Sequence, residues 1–254
     1  CEVALHLFLK YGYNFIDQLD GMFAFAIVDE DELFVCRDRI GIKPLWYIEI
    51  DGTYQFSSEY KTINNKEAKL FPAGCYWTST QGFQRYYYPK WWNIDNAILT
   101  GDQIFSQVRS GLIQSVKKRL MADVELGVML SGGLDSSLIA AIVVSLSTEP
   151  VHTFSVGFED SSDIIHARKV SEYLGTIHHE YVITLEEAQQ AMEELYEHAG
   201  DVASHPDLYG IIGDTVPQYI LYKHASKHVK VLLAGEGADE VFAGYPGFGI
   251  VINS

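Results

Sequence analysis

The chain has 254 residues, and 34 acidic side chains against 18 basic ones give it a formal charge of −16, which argues against a nucleic-acid or anionic-membrane partner. Hydrophobic content of 48% with 20% charged residues describes a soluble globular chain with room for one large or two modest domains. Three scattered cysteines (Cys1, Cys36, Cys75) give neither a disulfide framework nor metal-ligand spacing, and no apolar run reaches transmembrane length or reads as a signal peptide, so a reducing, cytoplasmic setting is expected.

Residues 1–12 read as a helix with Leu5, Phe8 and Leu9 on one face and Gly12 near its end. Cys1 opens that helical pattern, which does not suit an exposed nucleophile. From Gly21 to about Phe83 the texture is β. Met22–Val28 reads as a buried strand, Asp29–Glu32 as a polar turn and Leu33–Cys36 as a second strand. Leu45–Ile50 and Thr53–Phe56 flank Asp51-Gly52, a hairpin signature. A strand around Gly74–Trp77 leads to a turn at Gln81-Gly82. The aromatic passage Tyr86–Trp92 reads as a linker whose rings pack between domains rather than as a base-stacking platform. A helix is expected from about Gln103 to Leu120, with Lys117-Lys118-Arg119 on a solvated face. Strand and helix then alternate: Gly127–Leu130 and 136–147, Thr153–Phe158 and Ile164–Leu174, Tyr181–Ile183 and Leu185–His198, and finally Val229–Leu233. That alternation predicts a parallel sheet covered on both faces, with a ligand at the carboxyl ends of its strands.

Ser131-Gly132-Gly133-Leu134-Asp135-Ser136-Ser137 carries the most chemistry. It joins an apolar strand to a helix start, where two glycines admit a bulky anion and three hydroxyls join the free N–H groups of the first turn. No lysine follows, so this is not the common ATP loop. Asp135 would repel a bare phosphate, which points to a bridging Mg²⁺. Val231–Leu233 runs into Ala234-Gly235-Glu236-Gly237-Ala238-Asp239-Glu240, a second glycine turn with three carboxylates that need a shared cation. Asp239 is its candidate Mg²⁺ ligand. Phe154-Ser155-Val156-Gly157-Phe158 ends a third strand with backbone groups free to read an adenine edge and Val156 to cover its face. His178-His179, on a strand, point to opposite faces and read as structural.

The Ser131 run resembles the pyrophosphate loop of the N-type ATP pyrophosphatases. Val128–Ala140, Phe154–Phe158, Ala167–Val170, Leu174–Glu180 and Gly235–Glu240 together are similar to glutamine-dependent asparagine synthetases. Leu19–Phe25, Arg37–Leu45 and Phe71–Gly74 resemble the later part of that family's glutaminase domain. The resemblance implies an α/β fold class: a partial N-terminal nucleophile (class II glutaminase) β-rich domain over residues 1–92, then the first part of a parallel-sheet ATP pyrophosphatase domain over 101–254. It implies ATP or pyrophosphate contacts at Leu130, Ser131, Gly132, Gly133, Asp135, Ser136, Ser137, Val156, Ala234 and Gly235, and Mg²⁺ on Asp135 and Asp239. Glu236 matches the glutamate linked to a β-aspartyl-AMP intermediate. The substrates implied are ATP, aspartate and glutamine-derived ammonia, and a homodimer is compatible with the family.

Some of the family pattern is missing. Cys1-Glu2 matches the end of an S-D-C-E run that lies well inside the family's chains, so Cys1 is not the nucleophile. The family's Cys-Gly nucleophile, its glutamine-holding arginine and its N-G-E turn are absent, so this chain is not expected to hydrolyse glutamine. Later helices with lysine and arginine contacts are also missing after Tyr245-Pro246-Gly247-Phe248. Gly200–Tyr209 stands where typical members carry E-T-Y-D-V-T-T-x-R-A-S, which leaves a relative that adenylates another carboxylate, as β-lactam synthetases do, as the alternative, beside a non-catalytic truncated product. A tRNA thiouridine synthetase uses a similar loop, but the acidic charge and the unpaired cysteines count against it.

Overall fold

The structure is a computed structural model that describes residues 2–29, 32–63, 65–89, 101–199 and 212–245. It divides into two compact units, the first mainly Cys1–Ile98 and the second Leu99–His198 with His205–Ser254. Cys1, Glu30-Asp31, Lys90-Trp91-Trp92, Gly200–Tyr209 and Pro246-Gly247-Phe248, all read above, lie outside the described residues.

The first unit opens with helix α1 (Glu2–Tyr11) and a 3-10 turn (Gly12–Gln18). Strands β1 (Ala24–Asp29), β2 (Glu32–Arg37), β3 (Trp46–Ile50) and β4 (Thr53–Ser57) follow. The short helix α2 (Tyr60–Ile63) then leads to β5 (Lys69–Leu70), β6 (Cys75–Thr78) and β7 (Gly82–Arg85). Two antiparallel sheets result, in the orders β1-β2-β6-β7 and β4-β3-β5. Alternation along β2 sends its side chains into two cores. Phe34 and Cys36 join Phe8, Phe15, Ile16 and Ile27, whereas Val35 joins Leu45, Phe71, Cys75 and Trp77. A strand clamped between two cores reads as a continuous apolar run, as β2 does.

Three readings of this unit need correction. The buried face of α1 is Ala4, Leu7 and Phe8, while Leu5 and Leu9 face outward. Met22–Val28 is not a fully buried strand: β1 is a sheet edge on which Ile27 is buried and Val28 is 74% exposed. Tyr86, read as part of a linker, packs inside this unit and donates its hydroxyl to the Arg37 carbonyl at 2.9 Å. Cys36 and Cys75 are free, buried thiols, and burial pushes both thiol pKa values up.

Arg37 and Asp38 open a run that resembles the glutaminase domain, and both are buried in hydrogen bonds to backbone. Arg37 donates to the carbonyls of Lys43 (2.7 Å), Phe71 (2.5 Å) and Gly41 (2.6 Å). Asp38, 1% exposed, accepts from the backbone N–H groups of Phe23, Ile40, Ile42 and Lys43. Together they bind the 38–45 loop to both sheets, because buried backbone groups must find partners.

The second unit contains α3 (Gly101–Arg119), β8 (Leu126–Met129), α4 (Leu134–Leu146), β9 (His152–Gly157), α5 (Ser162–Leu174) and β10 (Ile177–Val182). It continues with α6 (Leu185–Ala199), α7 (Ile212–Ala225), β11 (Val231–Leu233) and α8 (Ala238–Phe242). The four strands are parallel, in the order β10-β9-β8-β11. On one face Val128 and Leu130 pack with Val116 of α3, Ala140 and Val143 of α4 and Ala167 of α5. On the other, Phe154 packs with Leu221 and Ala225 of α7. Lys117, Lys118 and Arg119 are exposed in the last turn of α3, where cations suit the helix dipole. Among the described residues no helix is long and apolar enough to cross a membrane.

Asp38→Ala removes the buried acceptor of four backbone N–H groups, three of them on the exposed 40–43 turn, so its unfolding free energy is expected to fall by roughly 2 kcal/mol. Urea denaturation measures this against Glu67→Ala, an exposed change expected to stay within about 0.5 kcal/mol of the parent.

Candidate nucleotide site

From β8 the chain proceeds to β9 and β10 on one side, and β11 adds on the other. Loops leaving the carboxyl ends of β8 and β11 therefore diverge, and a crevice opens between them at the switch point of the sheet. The loop after β8 is the Ser131 run, and the loop after β11 is Ala234–Gly237.

Gly132 sits at φ +80°, and a Cβ there would lie 2.4 Å from the backbone carbon and Cβ of His166. The loop thus presses against α5, and only a glycine combines that conformation with that approach. Gly133 is the N-cap of α4, with no side chain capping the helix. The serines bond to one another: Ser131 Oγ lies 2.9 Å from Ser136 Oγ and accepts from Gly133 N–H at 3.3 Å. Ser131 N–H donates to Ser136 Oγ at 3.2 Å. Ser137 Oγ is buried with no hydrogen-bond partner among the described residues.

The second loop closes onto the first. A Cβ on Gly235 would sit 3.1 Å from Asp135 Cβ and 3.2 Å from Ser136 N, so the two loops meet backbone to backbone. Between them lies a cavity of about 480 Å³. Of the residues expected at the site, Leu130, Ser131, Asp135, Ser136, Val156, Ala234, Gly235, Glu236 and Asp239 line it. Gly132, Gly133 and Ser137 stand behind the lining and shape it.

Helix α7 supplies lining that the sequence did not reveal: Pro217, Gln218 and Leu221. Gln218 Nε2 donates to Glu236 Oε1 at 3.2 Å. Its sequence carries no glycine turn or acid cluster, and Pro217 inside the helix hides the helical signal. Asp163, at the start of α5, and Tyr245 also line the cavity. Tyr245 donates to Glu240 at 2.6 Å, which pushes the phenol up to about 12 and pulls the Glu240 carboxyl down.

Five carboxylates line this cavity (Asp135, Asp163, Glu236, Asp239, Glu240), with neither lysine nor arginine among the described lining residues. A polyanion enters such a wall only with a cation of its own. Asp135 and Asp239 reach the cavity from the two facing loops, and hard carboxylate oxygens suit Mg²⁺ completed by phosphate oxygens and water. No group of three metal-ligating side chains is already gathered among the described residues, so protein ligands alone do not make the site. The residues present fit a metal that arrives with a phosphate.

His178 and His179 are structural in different ways. His178 bonds Thr153 Oγ1 at 3.0 Å and Ser155 Oγ at 3.1 Å, while His179, on the other face, meets His152 and His228.

An antiparallel β-rich unit followed by a parallel-sheet unit of the ATP pyrophosphatase type is the fold class. Residues 107–250 match the family model of asparagine synthase, and residues 1–120 match that of a glutamine amidotransferase domain. The chain belongs to the asparagine synthase family, a family of ligases. A glutamine-hydrolysing asparagine synthetase from Asparagus officinalis is 40% identical over 264 aligned residues, covering 96% of this chain and 43% of the relative. A second such synthetase, from Arabidopsis thaliana, is 39% identical over 96% of this chain and 44% of its own length. The chain spans less than half the length of these relatives. An ammonia-dependent NAD synthetase from Campylobacter jejuni superposes with a TM-score of 0.40 at 13% identity over 56% of this chain and 60% of that one, too loose a likeness to carry an argument.

Gly132→Ala, clashing with backbone at 2.4 Å, is expected to lower stability by about 2 kcal/mol or more. Gly235→Ala, where the approach is 3.1 Å, is expected to stay under about 1.5 kcal/mol. Urea unfolding of both variants checks the order.

Proposed function

We propose that this chain holds the adenylating site of an enzyme that amidates aspartate with ATP. The aspartate side-chain carboxylate attacks the α-phosphate of ATP, the bond to the β-phosphate breaks, and pyrophosphate leaves. Ammonia then attacks the acyl carbon of β-aspartyl-AMP, giving asparagine and AMP. The observation that carries this reading is the 480 Å³ cavity between the Ser131 loop and the Glu236 loop at the sheet's switch point. In this reading residues 1–92 are the later part of a glutaminase domain supplying ammonia, and 101–254 the first part of the ATP pyrophosphatase domain.

In this reading each residue takes a role its place allows. Leu130 and Val156 lie at the ends of neighbouring strands, where Val156 provides an apolar surface and both offer backbone groups for adenine. Ala234 and Gly235 bring backbone up to the nucleotide without a bulky side chain. Ser131, Ser136 and the uncapped N-terminus of α4 stabilise charge on the departing pyrophosphate, with Gly132 and Gly133 setting the loop's path and Ser137 beneath it. When bound on Asp135 and Asp239, Mg²⁺ neutralises polyphosphate charge that the carboxylate wall would otherwise repel. Glu236, held by Gln218 at the cavity wall, is assigned the acyl-adenylate step, where it orients the reacting groups. The mismatch at 200–209 supports a second reading, in which a different carboxylate is the acceptor.

Calorimetry of this chain is expected to show Mg-ATP binding, weakened about tenfold or more in Asp135→Asn. In the complete gene product, AMP release from aspartate, ATP and ammonia is expected to fall about 10²-fold in Glu236→Gln with Mg-ATP affinity retained. Absence of Mg-ATP binding sinks the site assignment. AMP release only with some other carboxylate selects the second reading.

A further inference from the structure

On the α7 side of the parallel sheet, β9 and β10 bring three rings together. His152 Nδ1 and His179 Nε2 lie 2.8 Å apart and share one hydrogen bond. Phe154 stacks on His179 at 4.8 Å, and His228, in the turn after α7, covers His179 with ring centroids 4.1 Å apart. Phe154 links this stack to the cavity. It packs with Leu221 and Ala225 of α7 and with Val229, and both Phe154 and Leu221 line the cavity. The histidines therefore fasten the far end of the helix that forms one cavity wall.

Such a fastening fails when both rings of the pair are protonated. A hydrogen bond between two imidazoles needs one ring nitrogen without a proton, and two imidazolium rings offer none. Stacked rings at 4.1 Å also repel once both are charged. Charged neighbours offer His179 no relief. Burial, followed by His228, His152 and His178, lowers its pKa, and no carboxylate acts on it among the described residues. Further along α7, His224 stacks on Tyr181 at 3.5 Å, with burial and then Lys227 lowering its pKa while Glu187 of α6 opposes them. On the opposite face, burial lowers His178, and Glu180 is engaged by Arg168 of α5.

We propose that the His152–His179–His228 stack is an acid-operated latch: while at least one ring of the His152–His179 pair keeps a nitrogen without a proton, it holds the C-terminal end of α7 against the sheet and keeps the cavity wall in place; once both rings are protonated, it releases α7 and opens the cavity. The direction follows from linkage. A histidine whose folded pKa is depressed contributes stability that is intact above the unfolded value of about 6.5. Below that value the unfolded chain binds more protons, and the contribution falls as pH drops toward the folded value. The latch rests on packing alone, whereas its effect on nucleotide rests on the cavity reading above.

The test compares the unsubstituted chain with His228→Asn, an exposed position that spares the core, and His179→Gln. Hydrogen exchange, corrected for its intrinsic pH dependence, is followed in α7 against α5. At about pH 5.5 rather than about pH 8, α7 of the unsubstituted chain is expected to exchange up to about tenfold faster relative to α5, with the gain reduced in both variants. Mg-ATP affinity by calorimetry is expected to weaken in parallel, the variants correcting for protonation of ATP itself. Equal acceleration of α5 and α7, or variants that respond like the parent, overturns the latch. Loosening of α7 with unchanged Mg-ATP affinity upholds the latch and overturns its link to the cavity. Failure to bind Mg-ATP at about pH 8 overturns the nucleotide reading, and hydrogen exchange still decides the latch.

Discussion

The near-contact of Gly235 with the first turn of α4 is the constraint on which the site depends. Strands β8 and β11 are hydrogen-bonded neighbours, so their carboxyl ends are fixed side by side before any loop residue is chosen. A backbone-to-backbone approach then narrows the crevice until Asp135 and Asp239 address one space. A larger residue at Gly235 would push the loops apart and separate Asp239 from Asp135. Packing therefore sets the charge geometry here.

Charge explains why the serines bond each other. The wall holds five carboxylates, and the whole chain carries a formal charge of −16. A loop of free donors in that field would have nothing to hold its shape. Ser131 and Ser136 satisfy each other and Gly133 N–H, so the loop keeps its curvature through its own hydrogen bonds. In the proposed site, exchanging those bonds for phosphate oxygens would involve little rearrangement, which is the sense in which such a loop is preorganised.

The strand, turn and helix around Ser131 were legible because every determinant lies within about twenty residues: an apolar run, two glycines and a second apolar run. The Asp51-Gly52 hairpin was legible for the same reason, and β3 and β4 pair across it. Long-range choices were not. Whether Leu5 or Leu7 of α1 faces inward depends on where Phe34 arrives, and Val28 is exposed because β1 happens to be an edge. Helix α7 escaped notice although it builds a cavity wall, since Gln218 and Leu221 belong to no local pattern and Pro217 interrupts their period. For Glu236 the residues alone suggested only a shared cation, and the family resemblance implied a further role.

Burial separates the charged residues that hold this fold from those suited to chemistry. Arg37 and Asp38 form part of a distinctive motif, yet three carbonyls occupy the guanidinium and four N–H groups occupy the carboxylate. A carboxylate so committed can neither move nor accept a new partner without breaking the loop it organises. Glu236 is the reverse case, exposed and held by one amide through one of its two oxygens. A neutral amide also fixes the side chain without cancelling its charge, which a lysine in its place would do. Among four nearby acids, orientation without neutralisation keeps Glu236 distinct from the carboxylates that suit a metal.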